Sequence, residues 1–207
     1  MLAMETVSNI PRGEYNLLAD HRVVMGDVSW ESYQKVLAIR GDGSRPRMAY
    51  LDGALELMTT SEDHERIKNF ITRLAEMFML DTGMKYVPYG EWTMRDELKA
   101  VGIEADECYR LGPDQTRGRW PDLAIEVIWT SGGIDKLEAY RRIAVREVWF
   151  WDSTSSITVY VLRDGTYQPQ TTSEQLAGID LAVLCALLDR PTLDAALQEF
   201  RASYKAP

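Results

Sequence analysis

Between Pro121 and Lys136, two carboxylates, Asp122 and Glu126, interrupt a run otherwise rich in Leu, Ala, Ile, Val and Trp. As a strand, this segment turns Asp122, Ala124, Glu126 and Ile128 to one face. A strand covered on both sides has no water to solvate a carboxylate, so an unpaired Glu126 there is costly or takes up a proton. A bound divalent cation removes that cost. Asp106, with Glu104 on the same strand face, comes alongside Glu126 if the two strands pair, and Asp106, Asp122 and Glu126 then converge. Such oxygen donors suit Mg²⁺ or Mn²⁺, which keeps several waters and accepts phosphate oxygens from a substrate. Lys136 opens the next helix and reaches over the cluster, where a lysine orients an attacking water and offsets charge in phosphodiester hydrolysis. The plainer reading is that Glu126 is satisfied by Arg119, Arg141 or Arg142 and that Asp122 only starts a strand.

The elements that must position these residues follow from periodicity and turn chemistry. Ser29 caps a helix over Trp30 to Arg40, with Trp30, Tyr33, Val36 and Leu37 at helical spacing. RMAYLDGALELM reads as a hairpin about Asp52-Gly53, and ITVYVLRDGTYQPQ repeats that pattern about Asp164-Gly165. Thr60 or Ser61 opens a second helix whose apolar face runs Ile67, Phe70, Ile71, Leu74 and Phe78. Lys85 to Met94 and Gly102 to Tyr109 read as strands, and LGPDQTRGR as a surface loop. WPDLAIEVIW, DKLEAYRRIA and REVWFWDS give strand, helix and strand, the order of a crossover unit. Leu181 to Tyr204 is mostly helical, broken at Arg190-Pro191.

Composition narrows the function classes. The chain has 207 residues, enough for one packed domain, with a net charge of −9. That charge excludes a protein coating nucleic acid by electrostatics alone, so any phosphate contact is local. Two cysteines without a CxxC pair and two histidines exclude a structural zinc cage. No apolar run approaches the roughly 20 residues of a membrane helix, and Met1 to Arg12 lacks the pattern of a signal peptide, so the expectation is a cytoplasmic protein. Arg117 to Phe150 holds six basic and five acidic residues, and Arg117 and Arg119 are candidates to touch a phosphate backbone. In Val148-Trp149-Phe150-Trp151 alternation buries both tryptophans on one face, which favours a core strand over a base-stacking surface.

In the order DG hairpin ending ELM, TTSEDHERI, ADECY, PDLAIEV and DKLEAYRRIAVREVWFWD, the chain resembles the PD-(D/E)XK nuclease superfamily. It is more closely similar to a bacterial restriction-endonuclease family formerly classed as a domain of unknown function. The resemblance runs from about Trp30 to about Leu162. It implies an α/β, restriction-endonuclease-like fold: a mixed sheet flanked by helices, with an N-terminal β-hairpin and C-terminal helices. Asp106 takes the place of the family's acidic strand residue, and Asp122, Glu126 and Lys136 match its PD, E and a lysine moved to the helix. Ile128 stands where the simple motif has its lysine. Trp129-Thr130-Ser131 replaces the usual Ser-Pro-Ser, Ala105 the Pro before Asp106, and Ala144 a turn Gly. Related nucleases often place a helix residue near the metal; His64 and Glu65 are the candidates, and helical geometry favours His64.

The expectation is an N-terminal extension (1–28), a nuclease-like domain (29–170) and a C-terminal helical extension packed on the same domain (171–207). Its function is a Mg²⁺- or Mn²⁺-dependent endonuclease acting on DNA, as a homodimer because one site cuts one strand. The alternative is a non-catalytic binding or assembly protein that keeps the fold and whose acidic cluster is structural.

Overall fold

The computed structural model describes residues 20–113, 118–128, 133–152 and 154–204. In chain order these form β1 (His21–Met25), α1 (Trp30–Arg40), β2 (Arg47–Leu51), β3 (Ala54–Thr59), α2 (Glu62–Asp81), β4 (Tyr86–Pro88), β5 (Thr93–Asp96), β6 (Val101–Glu104), β7 (Glu107–Leu111) and β8 (Leu123–Ile128). They continue with α3 (Lys136–Ile143), β9 (Glu147–Asp152), β10 (Ile157–Arg163), β11 (Thr166–Gln170), α4 (Leu181–Ala186) and α5 (Leu193–Tyr204). No described helix is long and apolar enough to cross a membrane.

Two sheets result, not one. A five-stranded antiparallel sheet runs β1-β3-β2-β6-β5, and a six-stranded mixed sheet runs β11-β10-β9-β8-β7-β4. The only parallel pair among the described strands is β8 with β9, joined through α3 as the crossover pattern predicts. Both DG hairpins form with two-residue loops, Asp52 and Gly53 at φ 46° and 86°, Asp164 and Gly165 at 49° and 78°. β1 pairs with β3, so residues 21–25 belong to the five-stranded sheet.

The two longer strand expectations each divide between sheets. Lys85 to Met94 splits into β4 and β5, and Gly102 to Tyr109 into β6 and β7. Pro88 cannot donate to a ladder and Gly90 has φ 60°, so the first run turns there. The second breaks at Ala105 and Asp106, whose carboxylate, not its backbone, bonds to β8.

α2, α4 and α5 cover one face of the six-stranded sheet, where Leu123, Ile125, Val127, Trp149 and Trp151 meet Ile71, Leu74 and Phe78. Each fully buried Ile or Leu of this face contributes about 1.5–3 kcal/mol. Trp149 is fully buried, so the aromatic run of β9 is core, as its alternation requires. α3 lies between the sheets, Ala139, Tyr140 and Ile143 packing on Ile103 of one and Ala124 and Val148 of the other. α1 closes the five-stranded sheet with Tyr33 and Leu37. Gly102 lets Tyr33 approach: a Cβ there would meet its hydroxyl at 2.2 Å.

α3 ends on Ala144, exposed and left-handed at φ 58°. A Cβ is unfavourable in this conformation, and glycine fits it without strain. Ala144→Gly is therefore expected to stabilise the protein by about 0.5–1 kcal/mol, after allowing for glycine's larger unfolded-state entropy. An equal or lower urea midpoint would contradict this account of the cap.

Candidate active site

The antiparallel register of β7 and β8 pairs Glu107 with Ile125 and Cys108 with Ala124. One step further along the same register sets Asp106 opposite Glu126. Both carboxylates are buried, Asp106 at 1% and Glu126 at 0% exposure. Burial on this scale requires partners, and each carboxylate has its own set.

Glu126 is held by α3. Asp135 caps the helix by accepting from Glu138 N, which fixes Lys136 as its first residue. Lys136 and Tyr140, four residues apart, share one helical face. Lys136 Nζ donates to Glu126 Oε2 at 2.6 Å, and the Tyr140 hydroxyl donates to Glu126 Oε1. Burial pushes the Glu126 carboxyl up, and the neighbouring Asp106 adds to the shift against the pull of Lys136. For Lys136 burial works downwards, but the Glu126 and Asp106 charges outweigh it and hold the ammonium above its ordinary range.

Asp106 is held from three directions. Val127 N donates to its Oδ2 at 2.7 Å, His64 Nε2 lies 3.1 Å from the same oxygen, and Arg47 Nη1 donates to Oδ1. Arg47 comes from β2 and also donates to Ala105 O at 3.1 Å and, through Nη2, to Glu91 Oε1 at 2.5 Å. Burial would raise the Asp106 carboxyl, but Arg47 and His64 drive it far below the usual range.

His64 sits in the first turn of α2, below the cap Ser61. Its Nδ1 is 2.9 Å from Asp20 Oδ2, and Asp20 Oδ1 accepts from Ser61 N at 2.8 Å. Each ring nitrogen thus faces a carboxylate, and only the doubly protonated ring donates to both. Burial lowers the His64 pKa, but Asp106 and Asp20 outweigh it and push it up to about 9.

The structure therefore brings Asp106, Glu126, Lys136 and His64 together, sets Glu65 behind Arg47 at 3.7 Å, and leaves Asp122 apart. Asp122 shares the face of Glu126, but four residues of strand separate them by about 13 Å. Its Oδ2 accepts from Leu111 N at 2.8 Å and its Oδ1 pairs with Arg146 at 3.0 Å. The expected convergence of three carboxylates is thus corrected: residues on one strand face share a direction, not a position. Among the described residues, no group of three or more His, Cys, Asp or Glu is placed to hold a metal ion.

Glu65 binds Thr60, Lys68, Arg45 and, at 3.7 Å, Arg47; burial would raise its pKa, and the hydrogen bonds from Lys68 and Thr60 outweigh it. Glu104 is held in the five-stranded sheet by Arg40, Thr93 and Met48 N. The arginines weighed as partners of Glu126 go elsewhere: Arg119 to Asp96, Arg141 to Glu138, Arg142 to Asp52 and Glu138. Arg117 and the Trp129-Thr130-Ser131 segment lie outside the described residues.

Sequence reading passed over Tyr140, Arg47 and Asp20. Tyr140 carried a signal, its spacing of four from Lys136. Arg47 and Asp20 had no local one, since they reach the site across 59 and 44 residues of chain.

A family profile described as "Uma2: Putative restriction endonuclease" matches residues 30–189, well over half of the chain. The chain belongs to the Uma2 family. Uma2 membership agrees with the resemblance carried by the ADECY, PDLAIEV and DKLEAY segments. No curated protein matches. Among solved structures, a crystal structure described as a putative nuclease belonging to DUF820, from Anabaena variabilis, superposes with a TM-score of 0.51 at 11% identity, covering 84% of this chain and 99% of that one. At that identity the likeness shows the fold, and it is the nuclease-like fold the Uma2 match implies.

The donor set of this cluster, two carboxylates, is of the oxygen chemistry a hard divalent cation takes. Asp106, in the break between β6 and β7, and Glu126 of β8 present carboxylate oxygens, and Mg²⁺ is commonly held by one or two carboxylates completed by water and phosphate.

Proposed function

We propose that this Uma2 protein is a Mg²⁺- or Mn²⁺-dependent endonuclease that hydrolyses DNA phosphodiester bonds. The observation that carries the reading is buried Asp106, tied to β8 through Val127 N at 2.7 Å, beside buried Glu126 with Lys136 Nζ 2.6 Å from it. Asp106 and Glu126 would hold the cation, which when bound supplies charge to stabilise phosphate oxygens and lowers the pKa of water.

The chain's own residues do the rest. Tyr140 fixes one oxygen of Glu126, and Lys136 holds a charged donor on the other, where it would offset charge on a phosphate brought to the pair. His64 positions Asp106 through Nε2 while Asp20 holds its other nitrogen. One site cuts one strand, so a double-strand break takes two copies, as in a homodimer, and this reading keeps the cytoplasm as the place of that work.

A non-catalytic role has one observation in its favour. Asp20, Asp106 and Glu126 are already balanced by His64, Arg47 and Lys136, and Arg47 occupies the Asp106 oxygen a cation would use.

The deciding experiment is Mn²⁺-dependent cleavage of supercoiled and single-stranded DNA by wild type, Glu126→Gln and Asp122→Asn. Wild type and Asp122→Asn are expected to nick, and Glu126→Gln to lose about 10²-fold or more, because metal stabilisation is worth several kcal/mol. No nicking by wild type, with a melting temperature indifferent to Mn²⁺, would favour the non-catalytic reading.

A further inference from the structure

Beside the carboxylate pair lies a second cluster, built from the turn between β4 and β5, the end of β7 and the approach to β8. Tyr89 and Trp92 stack with ring centroids 4.9 Å apart and 27° between planes, and Trp92 meets Trp120 at 5.9 Å. The Arg110 guanidinium sits 5.1 Å from the Tyr89 centroid and 5.3 Å from that of Trp92, and that of Arg119 lies 4.5 Å over Trp120. This is not core: Tyr89 is 39% exposed and the Arg119 side chain 66%.

We infer that this aromatic and arginine cluster is a stacking platform for unpaired bases of single-stranded DNA. Aromatic rings accept any base by its π-face, and a guanidinium plane does the same while its charge meets the phosphates. A duplex hides those faces, so the chemistry selects a single strand. The rings hold one another in place, so little ordering is needed on binding.

Charge supports this occupant. In a chain of net charge −9, exposed Arg95 and Arg119 and half-buried Arg110 gather here, against half-buried Glu91 and Asp96 and exposed Glu97. The Arg119 to Asp96 contact, 3.3 Å and exposed, is of the kind worth little, and a phosphate can replace it.

Position supports it too. Glu91, between the two stacked rings in sequence, accepts from Arg47 Nη2 at 2.5 Å, and the other end of that guanidinium holds Asp106. The turn that carries both rings is thus linked to Asp106 through two side chains, Glu91 and Arg47. The inference rests on the DNA-cleavage reading for its purpose, but it is separable by measurement.

The test is binding of a fluorescein-labelled 15-mer oligo(dT), and of a duplex of equal length, to the whole chain in EDTA. Wild type, Tyr89→Ala and Arg119→Gln are compared, with intrinsic tryptophan emission as a second readout. The single strand is expected to bind more tightly than the duplex and to quench tryptophan emission. Tyr89→Ala, at an exposed ring, should weaken binding about ten-fold, and Arg119→Gln should flatten the salt dependence by roughly 0.7 in log–log slope. Equal binding by Tyr89→Ala and wild type, equal affinity for duplex, or no binding at all overturns the platform. So does self-association of the wild type that Tyr89→Ala abolishes without oligonucleotide binding, which assigns the face to a second copy. Intact single-strand binding by a chain that never nicks overturns the cleavage reading and upholds the platform.

Discussion

Asp106→Ala is expected to destabilise the protein by about 3–5 kcal/mol, the usual consequence of removing one member of a buried ionic group. The carboxylate is 1% exposed and is contacted by Arg47, His64 and Val127 N. Alanine leaves Arg47 with Glu91 and Glu65 as its remaining counter-charges, both on Nη2, and removes one of the two carboxylates that keep His64 protonated. It also strands the Val127 N–H, which bonds to a side chain where the ladder would otherwise supply a carbonyl. Asp106→Asn keeps the shape and an acceptor for Val127, so it should lose less. Chemical denaturation of both variants beside wild type reads the difference. If Asp106→Ala unfolds within 1 kcal/mol of wild type, on the scale of an ordinary surface substitution, the cluster does not hold the sheets together as described.

The second large effect is a loss of stability at alkaline pH. His64 has an ordinary pKa of 6.5 and is pushed up to about 9 in the folded chain. The folded state therefore binds a proton that the unfolded state releases between those values. The stabilisation from this group is fully present below about pH 6.5, declines as pH rises and is gone above about pH 9, a total of about 3 kcal/mol at 1.36 kcal/mol per unit. Asp20 acts in the opposite direction: burial raises its pKa, but the hydrogen bond from His64 outweighs this, so its contribution is lost as pH falls through its depressed folded value. Stability should therefore peak on the mildly acid side of neutrality. Urea midpoints between pH 5 and pH 10 measure this, and His64→Gln should flatten the alkaline limb. A limb equally steep in His64→Gln would mean that some other group titrates there. Because His64 and Asp106 form one coupled group, the two effects are not additive.

Much of this protein follows from local pattern. The alternation in LAIEVI places Glu126 on the face opposite Leu123, Ile125 and Val127, and those three residues do pack under α2. The two Asp-Gly pairs specify their hairpins because Asp and Gly tolerate the positive φ that both central residues take here, in a turn whose twist matches that of the strands. Asp135 and the spacing of Lys136 and Tyr140 place two polar groups on one face of α3, within reach of Glu126.

Tertiary structure decided what those groups meet. Asp122 and Glu126 share a strand face by sequence, yet only the antiparallel register of β7 and β8 shows that Glu126's neighbour is Asp106 and that Asp122 belongs to Leu111 and Arg146. Likewise GIEADECY is apolar enough to read as one strand, and its division between two sheets depends on which cations claim Glu104 and Asp106: Arg40 from α1 and Arg47 from β2. Periods of 2 and 3.6 residues are written within a few residues of chain, so sequence determined the elements and the faces they present. Pairing across sheets depends on buried charges 42 to 59 residues apart finding each other in a low dielectric, and no local window holds both partners.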